Sequence, residues 1–221
     1  MWDSSGSPPF SKGDLGGLKK PSKGISGKRY ICQALDKKMK PSGQLRAPAI
    51  IETPRLSLRP PAQADAPAIF GTYAQDPLVT KYLIWRPHGS IIETQAFLHR
   101  CEAAWRRGSA FPWVITRRRD NRLLGMIEPQ VDGHRVELGY VLARAFWGRG
   151  YMTEAAAAVV RWALDQEGIY RVWAATDLEN LASVRVLEKI GMEKEGVLRR
   201  WGMHPNISAE PRDCACYAIV I

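Results

Sequence analysis

Residues 136–164 read VELGYVLARAFWGRGYMTEAAAAVVRWAL, and the order of features in this stretch decides the fold. A strand pattern over 135–143 runs into the loop Trp147-Gly148-Arg149-Gly150-Tyr151-Met152-Thr153, which opens a helix predicted over 151–166. Gly148 and Gly150 let the main chain bend and approach a ligand closely. The first N–H groups of the helix lack intrahelical acceptors. With the helix dipole they form an anion site suited to a diphosphate, to which Arg149 adds charge. Ala155, Ala158, Val159, Trp162 and Ala163 form the buried stripe of the helix. Taken alone, the same loop also reads as a plain tight turn. A Walker loop needs Gly-Lys-Ser/Thr, and a dinucleotide fingerprint needs a third Gly early in a βαβ unit. Neither pattern is present here.

Downstream, residues 176–196 read TDLENLASVRVLEKIGMEKEG. Asn180 stands at a strand-to-helix junction as an N-cap candidate. Val184, Leu187 and Ile190 make the buried face of a helix over 180–190, with Gly191 as its C-cap. Strands are predicted at 170–176, 193–201 and 214–221. Upstream, IIETPRLSLRP (50–60) reads as a strand ended by a Pro pair, followed by a helix over 62–76 with Ile69, Phe70 and Tyr73 inward. Ser90 and Glu93 read as a capping box. The helix after them carries Phe97, Leu98, Cys101 and Trp105 and ends at Gly108. Strands at 111–118, 122–131 and 135–143, with turns at Asp120-Asn121 and Asp132-Gly133, make an antiparallel meander. The chain is therefore of the α/β class.

The 221 residues suffice for one domain with a core and an appendage. The formal charge of +10 is unevenly spread. Residues 1–49 hold ten Lys/Arg and three Asp/Glu, a net of +7, whereas 50–221 carry a net of only +3. The leader, rich in Gly, Ser, Pro and Lys, cannot bury enough apolar surface to offset its ordering entropy and is expected to be disordered, with a short helical turn near 29–39. It reads as a linker, a wrongly placed translation start or a cloning remnant, or as a basic tail holding RNA or a ribosome. The domain is expected to span 50–221. No apolar run reaches the roughly 20 residues that span a bilayer, and no secretory pattern opens the chain, so a cytoplasmic location without membrane contact is expected. Cys214 and Cys216 alternate on one strand face and read as small buried hydrophobes. His88, His99, His134 and His204 show no metal spacing, and no metal is expected.

The succession GYVLARAFWGRGYMTEA and, about 25 residues later, ENLASVRVLEKIGMEKEGVLR resembles the GNAT superfamily of acetyl-CoA-dependent N-acetyltransferases. The likeness is strongest to the Rim-type branch, which acetylates ribosomal-protein N-termini, and ETPRLSLRP resembles that branch's first strand. It covers residues 50–221 and implies a central mixed, mostly antiparallel sheet flanked by helices.

The resemblance implies a set of site residues. The strand before the loop parts from its neighbour, and the pantothenate arm of acetyl-CoA lies in the gap against Val141, Leu142 and Ala143. The Val141 amide is expected near the thioester oxygen, where a donor lowers the barrier by roughly a few kcal/mol. The diphosphate is expected on the amides of Gly148, Arg149, Gly150, Tyr151, Met152 and Thr153. Met152 stands where the family usually has a small residue. Asn180 is expected to contact the cofactor arm, cap the helix, or do both. Many members carry a Tyr that protonates the departing thiolate, but Leu187 occupies its place; Ser183, one turn earlier, takes that role in the Rim-type branch. Glu137 is the leading candidate for a base acting through water, or else an ordinary strand carboxylate, with Glu128, Glu179 and Asp177 behind it. Trp85, Pro87 and His88 precede the second long helix, where the family often walls the acceptor. Transfer is expected to be direct, in a ternary complex, to a primary amine. A protein N-terminal amine is the first expectation. A small amine (aminoglycoside, polyamine or amino acid) and a non-catalytic acyl-CoA-binding module are the alternatives.

Overall fold

Pro54 cannot donate to a ladder, and the chain breaks there. Residues 50–60, expected as one strand, fold instead as the short pair β1 (Ile51–Glu52) and β2 (Leu56–Arg59), antiparallel to each other. The turn between them is closed by Thr53, whose N–H donates to Leu56 O at 2.9 Å and whose Oγ1 accepts from Leu56 N at 3.0 Å. A computed structural model describes residues 45–221. The leader expected over 1–49, with its helical turn near 29–39, lies outside the described residues up to residue 44. Residues 45–49 are irregular, with Leu45 and Ala47 packed on the core and Pro48 O accepting from Trp113 Nε1 at 3.3 Å.

The single helix expected over 62–76 is three successive turns of different pitch. A 3-10 turn (Gln63–Asp65) leads into α1 (Ala66–Ile69) and a wider π turn (Phe70–Ala74). Asp65 starts the run by accepting from Ala62 N at 2.8 Å while pairing with Arg59. Ile69 and Tyr73 are buried as expected, whereas Phe70 is only half-buried. A further short helix, α2 (Pro77–Thr80), is capped by the Asp76 carboxylate. It leads to α3 (Ile91–Arg107). Ser90 stands at the α3 N-cap, but its hydroxyl makes no capping bond; the Glu93 carboxylate instead accepts from Gly89 N at 3.3 Å. Gly108, at φ 68°, ends the helix.

The meander follows as β3 (Trp113–Arg117), β4 (Arg122–Asp132) and β5 (Arg135–Leu142). Then come α4 (Tyr151–Leu164), β6 (Arg171–Asp177), α5 (Leu181–Lys189), β7 (Glu193–Gly202) and β8 (Arg212–Val220). The eight strands form one sheet in the order β1-β2-β3-β4-β5-β6-β8-β7. Only β5 and β6 run parallel, so the sheet is mixed and mostly antiparallel. The return strand β8 inserts between β6 and β7.

Aromatic rings join the helices to the sheet. Trp113 is fully buried and meets Trp105 of α3 and Trp162 of α4 edge-on, at centroid separations of 5.5 and 5.1 Å. Phe111 closes the ring of four. Such pairs contribute about 0.5–1.5 kcal/mol each beyond area burial. Arg117 departs from the solvated strand end expected of Arg117–Arg119. It is 7% exposed, pairs with Asp120 and lies over the Phe146 ring, while Arg118 and Arg119 are exposed. Cys101, Cys214 and Cys216 are buried and free.

Gly125 fixes how closely β4 approaches β5. A Cβ there would collide with Val141 O and sit 2.9 Å from Leu142 Cα. Neither obstacle is a flexible side chain, so Gly125→Ala must push the strands apart. Overpacking of this kind costs roughly 1–3 kcal/mol, and a chain of this size loses roughly 2–4 °C per kcal/mol. Thermal denaturation of Gly125→Ala is expected to show a melting temperature lowered by about 5 °C.

Candidate active site

β5 is paired with β4 along its whole length but with β6 only over Arg135–Glu137, opposite Arg171–Trp173. Beyond Glu137 the two parallel strands separate. β6 stays with β8 through Asp177, and β5 stays with β4 through Leu142. The result is a notch whose vertex is the Glu137–Trp173 pair.

The register decides which backbone groups face the notch. In an antiparallel ladder alternate residues exchange hydrogen bonds with the partner. Ala143 N donates to Leu124 O at 2.8 Å, which turns the odd-numbered residues of β5 toward β4. His134 O accepts from Tyr170 N at 2.9 Å, which turns the even-numbered residues the other way. The N–H and C=O of Tyr140 and Leu142 therefore face the notch. Those of Val141 face Met126 of β4, and the Ala143 N–H is also taken by β4. The Val141 amide, expected near the thioester oxygen, thus points to β4, and the notch-facing amides are those of its two neighbours.

After β5 a 3-10 turn (Arg144–Phe146) buries Phe146 and leads into the glycine loop. Trp147 is 45% exposed, and its indole Nε1 donates to Leu142 O at 2.7 Å. Gly148 and Gly150 have φ of 71° and 74°, the left-handed region where only glycine is unstrained. Gly150 is the N-cap of α4 and no side chain caps this helix, so the amides of Tyr151, Met152 and Thr153 are left as open donors. The Tyr151 and Met152 side chains are buried in the core, so Met152 does not intrude on the loop.

A buttress that the sequence did not disclose supports this loop from the start of the domain. Glu154, in the first turn of α4, accepts from Thr53 Oγ1 at 2.6 Å, Arg55 N at 2.9 Å and Arg55 Nε at 2.5 Å. Arg55 also donates to Arg149 O at 3.0 Å and lies 4.6 Å over the Tyr151 ring. Burial works to raise the Glu154 pKa, but the donors from Thr53 and Arg55 outweigh it and hold the carboxyl below its usual range. An acidic residue in a first helical turn was the sole signal available.

On the opposite wall, Asn180 is the N-cap of α5, its Oδ1 accepting from Ser183 N at 3.2 Å. Ser183 Oγ lies 2.7 Å from the hydroxyl of Tyr140, a residue the sequence reading passed over. Burial raises the Tyr140 phenol to about 12, so it remains a hydroxyl at neutral pH. Leu187 is fully buried in the core. Asp177, at the end of β6, accepts from Arg212 Nε at 2.6 Å and from Glu179 N at 2.9 Å, and lies 3.8 Å from His204 Nε2. Burial opposes its ionisation, yet Arg212 holds the carboxyl below its usual range.

Side chains alternate across a strand, so Glu137 projects to the sheet face opposite Tyr140 and Ser183. There it lines a cavity of about 590 Å³ between α3 and the sheet, together with Glu128, Trp173, Phe97 and Arg100. Burial pushes the carboxyls of Glu128 and Glu137 above their usual range. Trp85, His88 and Phe97 stack in series, and His88 Nδ1 lies 2.8 Å from Thr94 Oγ1. The β7–β8 loop is stapled to the α2 region by Asn206, whose Nδ2 donates to Thr80 O at 2.7 Å and Trp85 O at 2.8 Å. Among the described residues, no three or more His, Cys, Asp or Glu side chains are grouped to hold a metal. No described helix is long and apolar enough to cross a membrane.

This architecture, a mixed sheet with a parted strand pair beside a glycine loop and helix, is that of an acyltransferase. Residues 55–193 match the family model described as an acetyltransferase (GNAT) domain, and the chain belongs to that family of acetyl-CoA-dependent N-acetyltransferases. It is 34% identical to the uncharacterized N-acetyltransferase YoaA of Bacillus subtilis, over 77% of this chain and 96% of that protein. A GNAT-family acetyltransferase from Bacillus anthracis is 28% identical with a TM-score of 0.68, covering 77% of this chain and 98% of that one. RimL, a ribosomal L7/L12 alpha-N-protein acetyltransferase solved in complex with coenzyme A, shares the fold at 22% identity and a TM-score of 0.70, covering 78% and 98%.

Removing the Glu154 carboxylate frees Thr53 and Arg55 from the glycine loop. Titration calorimetry on Glu154→Ala is expected to show coenzyme A binding weakened about tenfold. Acid should undo the same contacts. Glu154 and Asp177 have folded pKa values below their unfolded ones, so their contribution is full above about pH 5 and is lost as pH falls through the depressed values. Melting temperatures measured from pH 7 to pH 3 are expected to hold steady to about pH 5 and then drop.

Proposed function

We propose that the chain transfers acetyl from acetyl-CoA to the N-terminal amine of a protein, by direct attack within a ternary complex. One observation carries this reading: the Glu137–Trp173 pair that ends the β5–β6 ladder also forms the inner wall of the 590 Å³ cavity. The thioester can thus reach the notch from the α5 face while an amine reaches it from the α3 face. The Rim-type fold neighbours favour a protein acceptor.

In this reading the diphosphate lies on the backbone of Gly148, Arg149, Gly150, Tyr151, Met152 and Thr153. The arm runs along Leu142 and Tyr140, with Asn180 beside it. The Tyr140 N–H, rather than that of Val141, meets the thioester oxygen, where charge develops. The amine nitrogen attacks the carbonyl carbon, and the C–S bond breaks as the tetrahedral intermediate collapses. Ser183 Oγ–H, backed by the Tyr140 hydroxyl, donates to the departing sulfur. The amine proton passes through water to Glu137, whose half-buried carboxylate is a better acceptor than an exposed one. An α-amino group, with a pKa near 8, needs less help than a lysine near 10.4. Most of the acceleration comes from holding both reactants in place. A cytoplasmic site of action belongs to the same reading.

Release of thiol from acetyl-CoA, followed with a panel of N-terminal peptides and small amines, tests the assignment. Ser183→Ala is expected to lower kcat roughly 10–100-fold with little change in the KM for acetyl-CoA, and Glu137→Gln to lower it comparably. Unchanged turnover in the double variant would remove both residues from the chemistry.

A further inference from the structure

The cavity on the α3 face separates its charges. Glu128 and Glu137 stand on the sheet side beside Trp173, at the notch vertex. Arg100 and Arg107 stand on the helix side. They are seven residues apart, so they share one face of α3 at about 10 Å along its axis. Neither makes an ion pair among the described residues, whereas the adjacent Arg106 pairs with Glu102 and the cavity's remaining guanidinium, Arg135, pairs with Asp132. Both are exposed to solvent, so they are not held there as structural counter-ions to a buried carboxylate. Arg100 is supported from below by the Phe97 ring, 5.8 Å away. Either guanidinium suits a carboxylate, which a single one can grip with two parallel N–H donors while the other adds charge.

We infer that the acceptor is an amine that carries its own anionic group: the nitrogen enters at the Glu137 end of the cavity and a carboxylate is gripped by Arg100 and Arg107. The inference rests on the acetyl-transfer reading and narrows its substrate class. An extended peptide advances about 3.3–3.6 Å per residue. One cavity that holds Glu137 on its sheet wall and both arginines on its helix wall therefore fits an acidic side chain a few residues from a polypeptide N-terminus. A neutral or basic N-terminus would leave the two guanidiniums without a partner and forgo their steering at a distance.

The test uses the full chain saturated with coenzyme A, so that binding is read without turnover. Two pentapeptide amides are compared by calorimetry, one with aspartate at its third position and one with asparagine there. The aspartate peptide is expected to bind about tenfold more tightly, and the preference to fall to about onefold in the double variant Arg100→Gln, Arg107→Gln. Both arginines are exposed, so the variant should keep its melting temperature and its coenzyme A affinity. A second pair, a free amino acid and its carboxamide, distinguishes a small anionic amine from a peptide. A preference for the anion in either pair that collapses in the variant supports the inference. Equal affinities, no binding of the anionic member of either pair, or a preference that survives in the variant overturns it. Failure of the acetyl-transfer reading registers separately, as no heat-shift with coenzyme A or no thiol release with any amine.

Discussion

Two parallel strands that pair for three residues and then part are the constraint on which this molecule depends. Backbone groups left unmade are costly when buried, at roughly 1–3 kcal/mol each, so a parted sheet needs other neighbours to hold it open. Here β4 keeps β5 and β8 keeps β6, and each divergent strand is zipped on its outer edge through the length of the gap. Trp147 takes the Leu142 carbonyl with its indole N–H, answering one of the inner-edge groups from the loop itself. The close approach at Gly125 keeps the end of β5 against β4.

From that opening the division of labour follows by strand parity. Consecutive side chains of β5 look to opposite faces, so Tyr140 meets Ser183 on α5 while Glu137 meets the cavity under α3. A hydroxyl pair and a half-buried carboxylate are thereby kept on separate sides of one layer of backbone. The same parity makes the notch-facing amides those of the even-numbered residues.

Much of this was legible in the sequence where local chemistry is decisive. The strand, double-glycine loop and helix over 136–164 could be read because Gly148 and Gly150 occupy a left-handed backbone region that other residues enter only with strain. Asn180 could be read because a cap is a contact between near neighbours. What escaped depends on partners distant in the chain. Glu154 finds Arg55 and Thr53 across about a hundred residues, and no periodicity announces that meeting. The backbone of Tyr140, not that of Val141, faces the notch because one bond, Ala143 N to Leu124 O, sets the phase of the whole ladder. Sequence alone does not reveal on which residue a ladder begins. Phe70 and Ser90 show the smaller version of the same limit, since a π turn and a loop geometry moved each away from its expected contact.

The hairpin at Thr53-Pro54-Arg55 gives the amino-terminal edge of the domain an influence out of proportion to its size. Because its side chains brace Glu154 and the Arg149 carbonyl, the glycine loop is held in place by residues about a hundred positions earlier in the chain. Trimming the protein past residue 55 would therefore strip the outermost strand and the brace of the glycine loop in one cut.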